Sequence, residues 1–151
     1  MIIIMQQHWE LYVRLLVAIV IGASIGLERA YKNKDAGIRT HSLVCLGSAL
    51  IMILSAYDSS PEQMRDPMRL AAQVVSGIGF IGAGVIWMDK RNVKRGLTTA
   101  ASVWVTSALG LTVGYGLLDI AIFACLLLFI ALNIPKVLRI LGIHQHDNNE
   151  E

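Results

Sequence analysis

Long apolar runs closed by short charged breaks recur along the chain and predict membrane-crossing helices at roughly 9–27, 40–57, 70–88, 98–115 and 118–135. About 20 mostly apolar residues suffice to cross the hydrocarbon core of a bilayer, and each run comes close to that length. The break between the last two runs, Gly114-Tyr115-Gly116-Leu117-Leu118-Asp119, is short and carries no cation. It predicts a tight helical hairpin, with one long continuous span as the alternative. The fold class expected is an all-α membrane protein, a compact bundle of about five transmembrane helices.

Composition agrees with this pattern. In 151 residues, 55% are hydrophobic and 16% charged, which is too apolar for a water-soluble domain of this size. Residues 1–143 then form one membrane domain, and 144–151, a polar and acidic tail, are expected to be disordered. The net charge of +2 gives no support for nucleic-acid binding, but the placement of cations is informative. Arg29, Lys32, Lys34 and Arg39 follow the first run; Lys90, Arg91, Lys94 and Arg95 follow the third; Lys136 and Arg139 follow the fifth. All fall on one side, against Arg65 and Arg69 on the other, so ten cations face two. Cytoplasmic loops are enriched in Lys and Arg, so the expected orientation is N-terminus out and C-terminus in.

Other features carry less. Met1 to Met5 has no cationic leader or cleavage site, so the first span is expected to remain. Cys45 and Cys125 lie within apolar runs, where a thiol acts as a small hydrophobe, and neither a disulfide nor a metal site is read from them. His144 and His146 lack a third ligand nearby.

Small residues at helical spacing mark faces where helices approach closely in lipid. In the first span Arg14, Ala18, Gly22 and Gly26 share a face, and the fourth carries Gly110-x-x-x-Gly114. In the third, Ala72, Ser76, Gly79 and Ala83 form one stripe, and Val74, Ile78, Ile81, Val85 and Met88 another, about 200° away. The small stripe is expected to pack on protein and the large one on lipid. The run Gly77-Ile78-Gly79-Phe80-Ile81-Gly82-Ala83-Gly84 matches the G-x-G-x-x-G spacing of dinucleotide-binding turns. It sits mid-span with cations rather than an acid following it, so helix packing is the better reading. A homodimer is one use for such faces.

Ionisable and amide groups at membrane depth are functional candidates because they are costly to bury. Arg14 has a bland alternative: snorkelling outward or pairing with Glu10. Gln73 serves either as interhelical glue or as the lining of a polar path. The densest polar group lies on the expected cytoplasmic face: Glu28 and Arg29; then Arg39, Thr40 and His41; then Asn92 through Thr98 and Thr99. It suits an interhelical lock, an anion cradle or part of a gated cation path, of which the lock is favoured. Glu28 is expected to pair with Arg39 and tie the first span to the second. No array of carboxylates suited to Mg²⁺ is visible there.

Gly26-Leu27-Glu28-Arg29, Ala36-Gly37-Ile38-Arg39-Thr40-His41, the glycine run Ser76 to Gly84, and Gly96-Leu97-Thr98-Thr99-Ala100-Ala101 with Trp104 resemble, in order, the motifs of the MgtC/SapB family of bacterial inner-membrane proteins. The resemblance spans nearly the whole membrane region. It implies a plasma-membrane protein tied to low magnesium or acid stress, often labelled an accessory of a magnesium-transport ATPase. It also implies that some members restrain other membrane proteins, the ATP synthase among them. The chain ends soon after its fifth span, as in the short, SapB-like branch, whereas longer members carry a cytoplasmic domain.

The function expected is therefore a non-enzymatic regulator acting by helix contact with partner membrane proteins, without a cofactor. An oligomeric transporter or channel for Mg²⁺ or another ion is the alternative. Asp89-Lys90-Arg91 is not followed by the Thr-Gly of a phosphorylated ATPase aspartate, and no nucleophile has a base beside it.

Overall fold

A computed structural model describes residues 8–57, 66, 68–90 and 92–140. The tail from His144 to Glu151, most of the loop between the second and third spans, and Arg91 lie outside the described residues. Among the described residues, five helices are long and apolar enough to cross a membrane. They are α1 (Trp9–Tyr31), α2 (Ile38–Tyr57), α3 (Met68–Val85), α4 (Leu97–Tyr115) and α5 (Leu118–Ile140). Their positions match the apolar runs, with informative differences at three ends. Helix α1 continues past residue 27 to Tyr31, so Glu28 and Arg29 are helical. Helix α5 continues through Pro135, and α3 stops at Val85.

Beyond α3 the chain makes a small antiparallel hairpin that the apolar pattern does not announce, β1 (Trp87–Met88) pairing with β2 (Lys94–Arg95). Trp87 and Met88 read as the end of a span, but the polar stretch after them reverses the chain. Asn92 takes a left-handed φ of 62° at the turn. The Asp89 carboxylate accepts hydrogen bonds from the Val93 amide at 3.1 Å and from Arg95 Nε at 3.0 Å. Gly96, at φ 86°, then turns the chain into α4 so close to the Val85 carbonyl that a Cβ would collide with it.

At the other end of the bundle, α4 closes on Gly116 at φ 106°, and the Leu117 amide reaches back to the Thr112 carbonyl at 3.1 Å. That backbone pattern satisfies the last carbonyls of the helix. The short break is thus a turn between two helices rather than one long span.

Helix α4 is central and packs on α1, α2, α3 and α5. Its closest approaches are built on glycine. A Cβ at Gly22 of α1 would lie 2.5 Å from the His41 carbonyl oxygen, and one at Gly26 would lie 2.5 Å from Ile38 Cα. Gly110 and Gly114 of α4 meet the Cys45 and Ala49 carbonyls of α2 just as tightly. Helix α2 is therefore held between two glycine faces. Around them lies a core of Ala18, Ile21, Ile25, Cys45, Ala49, Leu109 and Val113, to which α5 adds Ala121 and Cys125.

Helix α3 packs on α2 and α4 at the periphery, and its small-residue stripe does not take the inward position within this chain. Ala71, Ile78 and Gly82 are buried, with Ile78 clustered against Ala36 and Val103. Ala72, Ser76, Gly79 and Ala83 are exposed, and a Cβ at Gly77, Gly79 or Gly84 would meet nothing within 4 Å. Among the packing residues expected of this span, Gly82 is buried, and a Cβ there would lie in ordinary contact 3.7 Å from the Ala100 Cβ, whereas Ser76, Gly77, Gly79, Ala83 and Gly84 are exposed. Ile78 packs against the small Ala36 and against Val103, and Gly82 faces Ala100. The stripe Ala72, Ser76, Gly79 and Ala83 turns away from the described helices.

Candidate functional site

The polar residues singled out by sequence gather at the end of the bundle where α1 ends and α2 and α4 begin, but only some of them interact. Arg29 is the largest buried side chain of the molecule, 2% exposed, and its Nε donates to Glu28 Oε2 at 2.5 Å. Glu28 Oε1 makes a second ion pair with Lys32 Nζ, also at 2.5 Å, one helical turn along. The expected pairing of Glu28 with Arg39 is not formed, and Arg39 is exposed. The cause is the extra turn of α1, which places Arg29 and Lys32 beside the carboxylate on its own helix. A buried guanidinium with an adjacent carboxylate is held mainly by the penalty of leaving either charge alone.

Lys32 carries the lock onward. Beside that ion pair, its ammonium donates to Asn133 Oδ1 at 2.9 Å and to the Leu132 carbonyl at 3.2 Å. Asn133 in turn donates to the Phe129 carbonyl at 2.7 Å. These contacts lie just before Pro135, where a missing backbone N–H interrupts the helical ladder. The interhelical lock at this end therefore joins α1 to α5, not α1 to α2. Sequence reading placed Lys32 among loop cations and missed this. Its position four residues after Glu28, a helical ion-pair spacing, was the available signal.

His41 is fully buried and links α2 to α4. Its Nδ1 donates to the Gly37 carbonyl at 3.0 Å, since a carbonyl can only accept, and Nε2 lies 3.2 Å from Ser102 Oγ. Ser102 Oγ also lies 2.8 Å from the Thr99 carbonyl. One hydroxyl proton cannot serve both neighbours. Either Ser102 donates to a neutral ring, or it donates to Thr99 while a doubly protonated ring donates to it. Thr99 is buried beside this pair, whereas Thr98 and Asn92 are exposed and Thr40 is half-buried.

Deeper in the bundle, Ser48 Oγ and Ser107 Oγ share a hydrogen bond of 2.8 Å, and Thr106 Oγ1 donates to the Ser102 carbonyl at 2.8 Å. Thr99, Ser102 and Thr106 thus run as a buried polar stripe along α4, spaced at helical intervals that sequence reading had not weighed. At the far end Arg14 reaches across to donate from Nη1 to the Gly114 carbonyl at 3.1 Å. It does not pair with Glu10. It ties the start of α1 to the C-terminal end of α4, where a cation offsets the helix dipole.

A family model described as the MgtC family matches residues 15–140. The chain belongs to the MgtC family. It is 43% identical over 130 residues to YhiD of Escherichia coli (strain K12), which is named, as a conjecture, a magnesium transporter; the match takes in 83% of this chain and 60% of that protein. It is 45% identical over 117 residues to protein MgtC of Salmonella typhimurium (strain LT2), covering 78% of this chain and 48% of that one. An uncharacterised protein of Haemophilus influenzae is 37% identical over 139 residues, covering 88% of this chain and 58% of its own length. The chain thus spans about half to three-fifths of the curated relatives it matches. No solved structure matches it. Family and helices together define a multi-pass protein of the bacterial inner membrane.

Proposed function

We propose that this MgtC-family chain is a non-enzymatic regulator in magnesium homeostasis or acid stress, acting on other membrane proteins through the outward small-residue face of α3. The observation that carries this reading is the exposure of Ala72, Ser76, Gly79 and Ala83. Small residues let two helix backbones approach closely in lipid, and here no helix among the described residues covers them. The link to magnesium draws on the name of the Escherichia coli relative. The orientation in this reading has the N-terminus outside, with ten cations on the cytoplasmic side against two. A reporter fused after Glu151 is expected to be active in the cytoplasm, and one between Asp58 and Pro67 outside; the opposite pattern would invert the topology.

A second reading, transport of Mg²⁺ or another ion, draws on the buried stripe Thr99, Ser102 and Thr106 and on that same name. Magnesium flux into liposomes containing the purified chain alone separates the two. The regulator predicts no saturable flux. A saturable, magnesium-specific flux that Thr106→Val abolishes would establish the transporter instead.

A further inference from the structure

On the flank of α3 opposite the small-residue stripe, an apolar crevice of about 710 Å³ runs between α2 and α3. Its walls extend from Leu43 to Leu54 on α2 and from Leu70 to Ile81 on α3. Eleven residues of helix rise about 16 Å, the depth of one leaflet of a hydrocarbon core about 30 Å thick. The floor is opened by Gly47 and Gly77, at each of which a Cβ would meet nothing within 4 Å. Gln73 lines the same crevice near the start of α3, and it has no hydrogen-bond partner among the described residues. Hydrocarbon tails alone would leave that amide unsatisfied at membrane depth, a costly arrangement.

One occupant meets all three requirements. Arg69, Gln73, Gly77 and Ile81 follow one another at four-residue steps, and each step turns about 40° further round the helix, so the series winds from the helix end into the crevice. A cation stands first, an amide one turn deeper, and an apolar groove without side chains below. That is the order of a phospholipid read from its end inward: an anionic phosphate, ester carbonyls, then an acyl chain. We propose that the α2–α3 crevice binds one phospholipid from the leaflet on the side of the α2–α3 loop. The phosphate lies at Arg69, an ester carbonyl accepts from Gln73, and one acyl chain runs over Gly77 and Gly47. This site does not depend on the regulatory reading of the opposite flank.

Native mass spectrometry of the full-length chain, delipidated and then supplied with dioleoyl phosphatidylglycerol, tests the assignment. One lipid per chain is expected to be retained. Gly77→Leu and Gly47→Leu, each adding a side chain into open space, are expected to weaken retention at least about tenfold while helical content by circular dichroism stays unchanged. Arg69→Gln is expected to weaken it about fivefold, and dioleoylglycerol, which lacks the phosphate, by a similar factor. Gly79→Leu, on the other flank, is expected to leave retention as in the unaltered chain. The proposal fails if the unaltered chain retains no stoichiometric lipid. It fails likewise if Gly77→Leu retains as much as Gly79→Leu, or if the crevice variants instead dissociate a lipid-free dimer, which would make the groove a protein contact.

Discussion

Helices α1, α2 and α4 and the peripheral helix α3 all carry small residues at helical spacing, yet they use them in opposite ways. In the first group the glycines face inward and bring backbones into contact, as at Gly22 against His41 and Gly114 against Ala49. The hydroxyl and imidazole groups between them are paired with one another. In α3 the stripe Ala72, Ser76, Gly79 and Ala83 faces outward and is exposed among the described residues, while Ala71, Ile78 and Gly82 make the inward contact. The same residue types therefore hold this bundle together in one region and leave a surface for something else in the other. Small-residue spacing identifies a place of close approach without saying whose helix comes close.

The sharpest way to break that contrast is to add bulk on both sides of it. Gly22→Leu or Gly114→Leu drives a side chain into the backbone of α2 and is expected to cost about 3 kcal/mol or more, seen as lost protein in the membrane. Gly79→Leu, in open space, is expected to shift stability by no more than about 0.5 kcal/mol in the same assay. Equal loss at both would show that α3 also packs tightly.

Charge gives the next largest effect. Glu28→Gln leaves the buried Arg29 unpaired and is expected to cost about 3 kcal/mol of resistance to unfolding in detergent, whereas Arg39→Gln is expected to be silent. A large effect of Arg39→Gln would restore a link across the α1–α2 loop that the geometry does not contain. Lys32→Met removes the tie from α1 to Asn133, and a loss of about 2 kcal/mol is expected, read as looser protection of the α5 end by hydrogen exchange. Unaltered exchange there would mean that the ammonium is not holding α5. Smallest of all, Ser48→Ala removes one hydrogen bond between α2 and α4 and is expected to cost about 0.6 kcal/mol, with Ser107→Ala adding almost nothing afterwards. Full additivity of the two would show that the pair is not coupled.

Much of this architecture was legible in the sequence because lipid imposes a simple rule: an apolar run of sufficient length becomes a helix. The five spans, the close turn before Leu118 and the resemblance at Gly26 to Glu28 and Ala36 to His41 all followed from local pattern. What escaped were choices between partners. Glu28 had several cations within a few residues, and the deciding fact, that α1 runs on to Tyr31, is a helix-end property that hydropathy places to within only a few residues. Trp87 and Met88 are apolar enough to extend a helix, and they form a strand only because the polar turn beyond them folds back. The inward turn of Ile78 depends on the surface offered by Ala36 and Val103, which lie far from it in sequence.

On the proposed function, α3's outward face is a working surface rather than leftover lipid contact. The direct measurement is magnesium-limited growth of a strain lacking the chain and supplied with Gly79→Leu, with the membrane level of the variant determined in parallel. A level equal to that of the unaltered chain is expected, together with failure to restore growth; full restoration at equal level would show that the outward face of α3 has no working role.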